Sequence, residues 1–245
     1  MNPRITLATA GRVLGQLRHD HRTAGLMLGV PLVLLTLLWW MFEAQPAVFN
    51  SIAPALLGIF PFTVMFLVTS VATLRERTSG TLERLLSMPM AKLDLLLGYG
   101  LAFGLFAMVQ AGLATVLLVY VLDLQLAGPV WALVLVAVVD ALLGVALGLF
   151  VSAFAATEFQ AVQFMPAFVL PQFLLCGLFL PRDQLPPVLE AISNVLPLSY
   201  AVDAMQHLTQ VSELGGQFAR DLAVVAGFVV VALALGAATL RRRTP

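Results

Sequence analysis

Little in this chain is charged. Of 245 residues, 13 are basic and 13 acidic, and charged residues make up 11% of the sequence, against about a quarter in ordinary soluble domains. With 60% hydrophobic residues and a mean hydropathy of +0.98, that scarcity excludes a water-soluble globular domain. The lone cysteine, Cys176, excludes an internal disulfide. Histidine is nearly absent too: His19 and His21 sit in a basic leader and His207 far downstream, so they cannot converge as one metal site. The chain has no Gly-x-Ser-x-Gly turn, no His-Glu-x-x-His pair and no phosphate loop. No catalytic residue, metal or cofactor is therefore expected in this chain. Its basic residues are split among sites beside apolar runs, which argues against a nucleic-acid surface.

What the chain does have is long apolar runs. A helix needs about 20 mostly apolar residues to span a bilayer, and six segments qualify: 24–42, 52–74, 93–122, 130–155, 159–180 and 219–240. None alternates with the period of two that a membrane barrel strand requires. The first run is too long for a signal-peptide core and reads as an uncleaved anchor. The expectation is an all-α membrane protein with six transmembrane helices, forming one membrane domain over 1–245.

Charge sets the orientation. Arg4, Arg12, Arg18 and Arg22 precede the first run. Arg75, Arg77, Arg84 and Lys92 lie between the second and third, and Arg241, Arg242 and Arg243 follow the sixth. Only Arg182 and Arg220 fall on the other side. The positive-inside bias places both termini and the 75–92 segment in the cytoplasm of a cell (plasma or inner) membrane.

Residues 1–22 combine Ile5, Leu7, Val13, Leu14 and Leu17 with the four arginines. They read as an amphipathic helix on the inner leaflet, its arginines near lipid headgroups, or else as a basic leader that only sets topology. The 75–92 segment, RERTSGTLERLLSMPMAK, alternates charge sign, repeats leucine at helical spacing and ends at a proline. It predicts an ordered cytoplasmic helix, more than a connecting loop needs. Glu158, in the other short inner loop, has no basic neighbour in sequence.

On the outer side, 180–218 is too polar to span. Pro186 and Pro187 suit the start of a short helix. Leu189, Ile192, Val195 and Leu196 would share its face, and Pro197 would end it. A second helix over about 199–209 would align Tyr200, Ala204 and Leu208. Such helices either dip back into the membrane boundary as re-entrant elements, sheltered by neighbouring spans, or form an outer cap. Glycine pairs at four-residue spacing, Gly25/Gly29, Gly100/Gly104 and Gly144/Gly148, allow close helix approach. Asp140 is the acid deep within a span. A charge there costs about 2.5–3.5 kcal/mol on insertion scales, so Asp140 faces protein or water. Lining a substrate path, binding a cationic group and bonding between helices are all open to it. Phe164, Phe168 and Phe173 could wall such a path or serve as ordinary core and lipid contacts.

Two segments carry a resemblance. RERTSGTLERLLSMPMAKLDLLLGY resembles the segment after the second span of type-2 ATP-binding cassette (ABC) permeases. The matches are Glu76, Arg77, Gly80, Thr81 and Leu82, then Glu83, Leu85, Leu86 and Pro89. FLLCGLFLPRDQLPPVLEAISNVLPLSYAVDAM looks like the family's outer segment. It matches through Gly177, Phe179, Pro181, Leu185 and Pro186, then Leu196, Pro197, Leu198, Tyr200 and Asp203. TEFQAVQ, with Glu158 and Gln160, is a weaker third match.

The resemblance implies a permease subunit of an ATP-driven exporter of a hydrophobic or amphipathic, drug- or lipid-like compound. It implies a separate ABC ATPase chain that holds ATP and magnesium, and a second permease, either another copy or a paralogue. It also implies that the helix after span two is a coupling helix seated on that ATPase, with Arg75, Glu76, Arg77 and Glu83 supplying polar contacts and Leu82, Leu85 and Leu86 filling an apolar groove. Gly177, Phe179, Pro181, Pro186, Pro197, Tyr200 and Asp203 would form the outer gate. The rival class is a membrane anchoring or assembly protein that docks a non-ATPase partner through the same helix.

Overall fold

The computed structural model describes residues 3–79 and 92–239, and among them every regular element is helical. An N-terminal helix α1 (Pro3–His19) leads into α2 (His21–Met41) and the long α3 (Pro46–Thr78). Helix α4 (Lys92–Val116) ends in a π-helical turn, Leu117–Val121. Helices α5 (Val130–Val151) and α6 (Glu158–Leu175) follow. A 3-10 turn (Arg182–Gln184) and the short α7 (Pro187–Ser193) precede α8 (Pro197–Gln210) and α9 (Gly216–Thr239).

Among the described residues, five segments are long and apolar enough to cross a membrane: His21–Met41, Pro46–Thr78, Asp94–Val121, Val130–Val151 and Gly216–Thr239. The sixth expected span, 159–180, folds as the 18-residue α6. At 1.5 Å per residue that is roughly 27 Å of helix, just under the roughly 30 Å hydrocarbon core. Gln160, Gln163, Gln172, Pro166 and Pro171 dilute its apolar character. The chain then turns at Gly177, whose φ of +93° is the left-handed region that favours glycine.

Apart from Asp140, helix α5 is apolar all round, the pattern of a helix enclosed by others, and α3, α4, α8 and α9 all pack on it. Its most extensive contact is with α3. A Cβ on Gly144 would lie 2.3 Å from the Phe62 carbonyl oxygen, and one on Gly148 would lie 2.6 Å from that of Phe66. The two backbones meet there because both positions lack a side chain. Of the three glycine pairs, this one sits at a helix contact. Gly25, Gly29 and Gly100 face open space, and Gly104 meets only the flexible tip of Leu142.

Proline explains a second contact. Pro31 has no N–H for the carbonyl of Met27, one turn earlier in α2. The buried side chain of Gln110 on α4 donates to that carbonyl instead. Sequence reading had no signal for this pairing, because the two residues lie 83 apart.

Several expected boundaries shift. Helix α7 ends at Ser193, so Val195 and Leu196 lie outside it, and Pro197 opens α8 rather than closing α7. Helix α3 continues to Thr78, so Arg75, Glu76 and Arg77 belong to its last turns and not to a separate helix. Helix α1 lays a full face on α4, burying Ala10, Val13 and Leu17 there, while Leu7 remains exposed. The leader is therefore a packed element as well as an amphipathic one.

Candidate functional site

Two polar clusters sit at opposite ends of the bundle. The inner one is built from three successive residues of α3, each reaching a different helix. Glu76 accepts a two-pronged contact from Arg12 of α1, at 2.8 and 3.1 Å. Arg12 also donates to the Tyr99 hydroxyl of α4 at 2.9 Å. Gln16, with its amide turned to donate to Glu76 at 3.2 Å, completes this cluster. Arg75 makes a two-pronged contact with Glu158 of α6, at 2.8 and 3.1 Å. Arg77 donates to the carbonyl of Ser152 at the end of α5.

Local structure aims Glu158 at this partner. Thr157 caps α6 by accepting from the Gln160 N–H at 3.2 Å, and the Gln160 side chain accepts from the Ala156 N–H at 2.8 Å. This is a near-reciprocal capping box, and it holds Glu158 in the first turn. Glu158 has no basic neighbour in sequence, and the fold supplies one by bringing Arg75 to it across 83 residues. The Arg75 hydrogen bond holds the Glu158 carboxyl below its usual range.

Arg75, Glu76 and Arg77, expected to supply polar contacts for a partner, grip α6, α1 with α4, and α5 within the fold. Gly80, Thr81, Leu82, Glu83, Leu85 and Leu86 lie outside the described residues.

The outer cluster centres on Arg182, which sequence reading treated only as a stray basic residue. Its guanidinium pairs closely with Asp203 of α8, donates to Ser193 Oγ at 2.9 Å and to Asn194 Oδ1 at 2.6 Å, and lies 4.8 Å from the centre of the Tyr200 ring. The Ser193 hydroxyl donates to the Leu175 carbonyl at 2.8 Å, and the Tyr200 hydroxyl donates to the Asn194 carbonyl at 2.7 Å. The Arg182 stem passes 3.6 Å from where a Cβ on Gly177 would stand. The fold therefore brings Gly177, Tyr200 and Asp203 around Arg182. Pro181 and Pro186 precede the 3-10 turn and α7, and Pro197 opens α8. Phe179 stands apart, exposed and edge-on to Phe173 at 5.3 Å. Burial raises the Asp203 carboxyl above its usual range, outweighing the pull of Arg182.

Helix α8 is sunk into the bundle against α3, α5 and α9. Leu198, Ala201, Val202, Ala204, Met205 and Leu208 on it are fully buried. Gln172 of α6 accepts from the Leu198 N–H at 3.3 Å, satisfying one of the open donors at the helix start. The Met205 thioether lies 3.6 Å from the side-chain position that Gly58 leaves vacant, and Asp140 Oδ2 is 3.3 Å from the same point. Asp140 is wholly buried, and neither of its carboxyl oxygens has a hydrogen-bond partner among the described residues. It lies at the meeting of α3, α5 and α8, more than two turns inside both long helices. Phe164 and Phe168 stack edge-on at 6.4 Å, and Phe168 continues to Phe66 of α3 at 6.3 Å. These rings join α6 to α3.

The order of apolar helices, the α3 terminus and the outer hairpin can be set against known proteins. A family model described as ABC-2 type transporter matches residues 6–209. The chain belongs to the ABC-2 type transporter family. Among its relatives is the Escherichia coli protein named probable multidrug ABC transporter permease YbhS, 26% identical over 73% of this chain and 47% of that protein. Linearmycin resistance permease protein LnrN of Bacillus subtilis is 25% identical over 74% of the chain and 47% of its own length. ABC transporter G family member 20 of Dictyostelium discoideum is 26% identical over 65% of the chain and 22% of its own length. The chain thus spans about half the length of the bacterial relatives, and less of the last. The matched region ends at the close of α8, so it takes in both polar clusters of this ABC-2 chain.

Proposed function

We propose that this chain is the membrane-spanning permease subunit of an ATP-driven ABC exporter that moves a hydrophobic or amphipathic compound outward. A separate ATPase chain, holding ATP and magnesium, supplies the energy. The permease works as a pair, with a second copy or a paralogue. In this reading α6 is the sixth span, both termini are cytoplasmic, and the 80–91 segment is the seat of the ATPase. The names of two relatives, one for multidrug transport and one for linearmycin resistance, support a drug- or lipid-like cargo.

The observation that carries the reading is the collar at the end of α3. Arg75, Glu76 and Arg77 immediately precede the proposed seat and together reach α1, α4, α5 and α6. A displacement applied just beyond Ser79 reaches those helices through charged hydrogen bonds, which are shorter and stronger than neutral ones. At the other end, Arg182 holds the hairpin of α7 and α8 over the bundle. Outward release requires the Arg182 corner of that hairpin to move, and the contacts Arg182 makes there are polar.

Purification of the complex in mild detergent tests the reading. A copurifying ATPase with a phosphate loop, lost in a Leu85→Asp/Glu83→Ala variant that still inserts normally, is the expected result. Isolation with no such ATPase, or unaltered association and transport in the variant, overturns it.

A further inference from the structure

A cavity of about 390 Å³ opens between α1, the start of α2, the end of α3 and α4. That size falls within the roughly 300–1,000 Å³ of small-molecule sites. Its walls are apolar and largely withdrawn from the surface: Val13 and Leu17 of α1, Val71 and Ala72 of α3, Tyr99 and Phe103 of α4. Its rim is polar and more exposed, with Gln16, Asp20, Thr23, Arg75 and Glu76. The rim carries both signs of charge: Arg75, which pairs with Glu158, and the acids Asp20 and Glu76, the latter paired with Arg12.

We infer that this cavity is a loading site for the exported compound, taking the apolar body of an inner-leaflet amphiphile between α1 and α4 and a headgroup of mixed charge at the rim. The inference rests on the exporter reading and deepens it by placing the cargo's first contact. An apolar pocket beneath a rim of ions suits a molecule whose two ends differ in the same way. Two further observations favour cargo. The rim shares Arg75 and Glu76 with the collar, so an occupant touches the residues that tie α3 to α6 and α1. The outward side of α4 is separate: Leu101 is 51% exposed and Leu105 48%, whereas Tyr99 is 3% and Phe103 1%. One helix therefore offers bulk lipid one face and the cavity another.

That division gives the test. The permease with its copurified ATPase is placed in nanodiscs containing a trace of lysophosphatidylcholine with a diazirine in its acyl chain, and labelled residues are mapped by mass spectrometry. The expected result is labelling of Tyr99 and Phe103 above that of Leu101 and Leu105, falling at least fivefold when ATP and vanadate trap the transporter. Val71→Trp, which fills the cavity, should remove the Tyr99 and Phe103 signal and leave that of Leu101 and Leu105, which also reports an intact fold. Ala72→Phe serves if the first variant does not fold. Even labelling around α4 overturns the site. Strong cavity labelling that ignores nucleotide marks a resident lipid and overturns the loading role. In both of those cases transport by the complex stands, so the exporter reading survives and only this site falls.

Discussion

Breaking the Arg12–Glu76 pair should free α1 from the bundle by a measurable and limited amount. The side chains are 30% and 14% exposed, so the contact is neither a solvated surface pair nor a sealed one. It has two prongs and a third bond to Tyr99. Hydrogen bonds to charged groups contribute about 1.5–3 kcal/mol, and Glu76→Gln keeps shape while removing charge. A loss of about 2 kcal/mol in α1 docking corresponds to about a 30-fold change in an equilibrium constant. Amide hydrogen exchange reads this directly as local opening. The Val13–Leu17 stretch should lose protection by that factor while α5 remains unchanged. Arg12→Gln with Glu76→Gln should recover part of the loss, because no charge is then left unmatched. Glu158→Gln is the contrast, since Arg75 and Glu158 are 65% and 49% exposed and water screens their attraction. A change below threefold at α1 in Glu76→Gln, or an equal change in Glu158→Gln, would refute the argument.

Other outcomes follow from the same geometry. Gly144→Ala forces a methyl onto the Phe62 carbonyl and should cost about 1–3 kcal/mol in unfolding, whereas Gly100→Ala, which faces open space, should leave the melting temperature unchanged. Gln110→Leu strands the Met27 carbonyl and should cost about 1 kcal/mol; adding Pro31→Ala restores an N–H for that carbonyl and should return most of the loss in thermal melts. For Asp203, whose folded carboxyl lies above its unfolded range, the folded state holds its proton longer. Stability should therefore fall as pH rises from the ordinary carboxylate range to the raised value, level off above it, and show no such fall in Asp203→Asn. Asp140→Asn keeps the shape at the α3–α5–α8 junction without a charge, and should melt no lower than the parent; a drop of several degrees would point to a partner for the carboxylate.

The helical architecture was legible because it rests on local pattern. Apolar runs marked the position of each long helix, though α3 begins earlier, at Pro46, and α6 ends earlier, at Leu175, than the runs suggested, and Pro186 and Pro187 marked the start of α7. Pro197 misled, because a proline can close one helix or open the next, and only packing decides. Here the buried face of α8 begins at that residue, so Pro197 belongs to it. Segment 159–180 is a different case: its apolar character suggested a span, the helix there runs from Glu158 to Leu175, and its glutamines serve the capping box and the start of α8. The side-chain pairings were not legible at all. Arg12 with Glu76, Arg75 with Glu158 and Gln110 with Met27 join residues 64, 83 and 83 apart, and no periodicity encodes such distances.

That limit bears on how charge beside a membrane should be read. The 75–92 segment drew notice as polar residues among apolar ones, which favours reading its charges as contacts for another molecule. Exposure alone does not support this. At the end of a helix enclosed by others, an arginine reaches neighbouring helix ends before it reaches a partner, and acidic side chains in their first turns and carbonyls in their last turns bind it well. Arg75 finds the first turn of α6, and Arg77 finds the carbonyl of Ser152 just past the end of α5. In the proposed exporter, recognition of the ATPase falls to the residues beyond Ser79, whereas the collar ties α3 to α1, α4, α5 and α6. On this division of labour, charge reversal within the collar should uncouple transport without weakening ATPase association. Substitution of Leu85 should weaken association first.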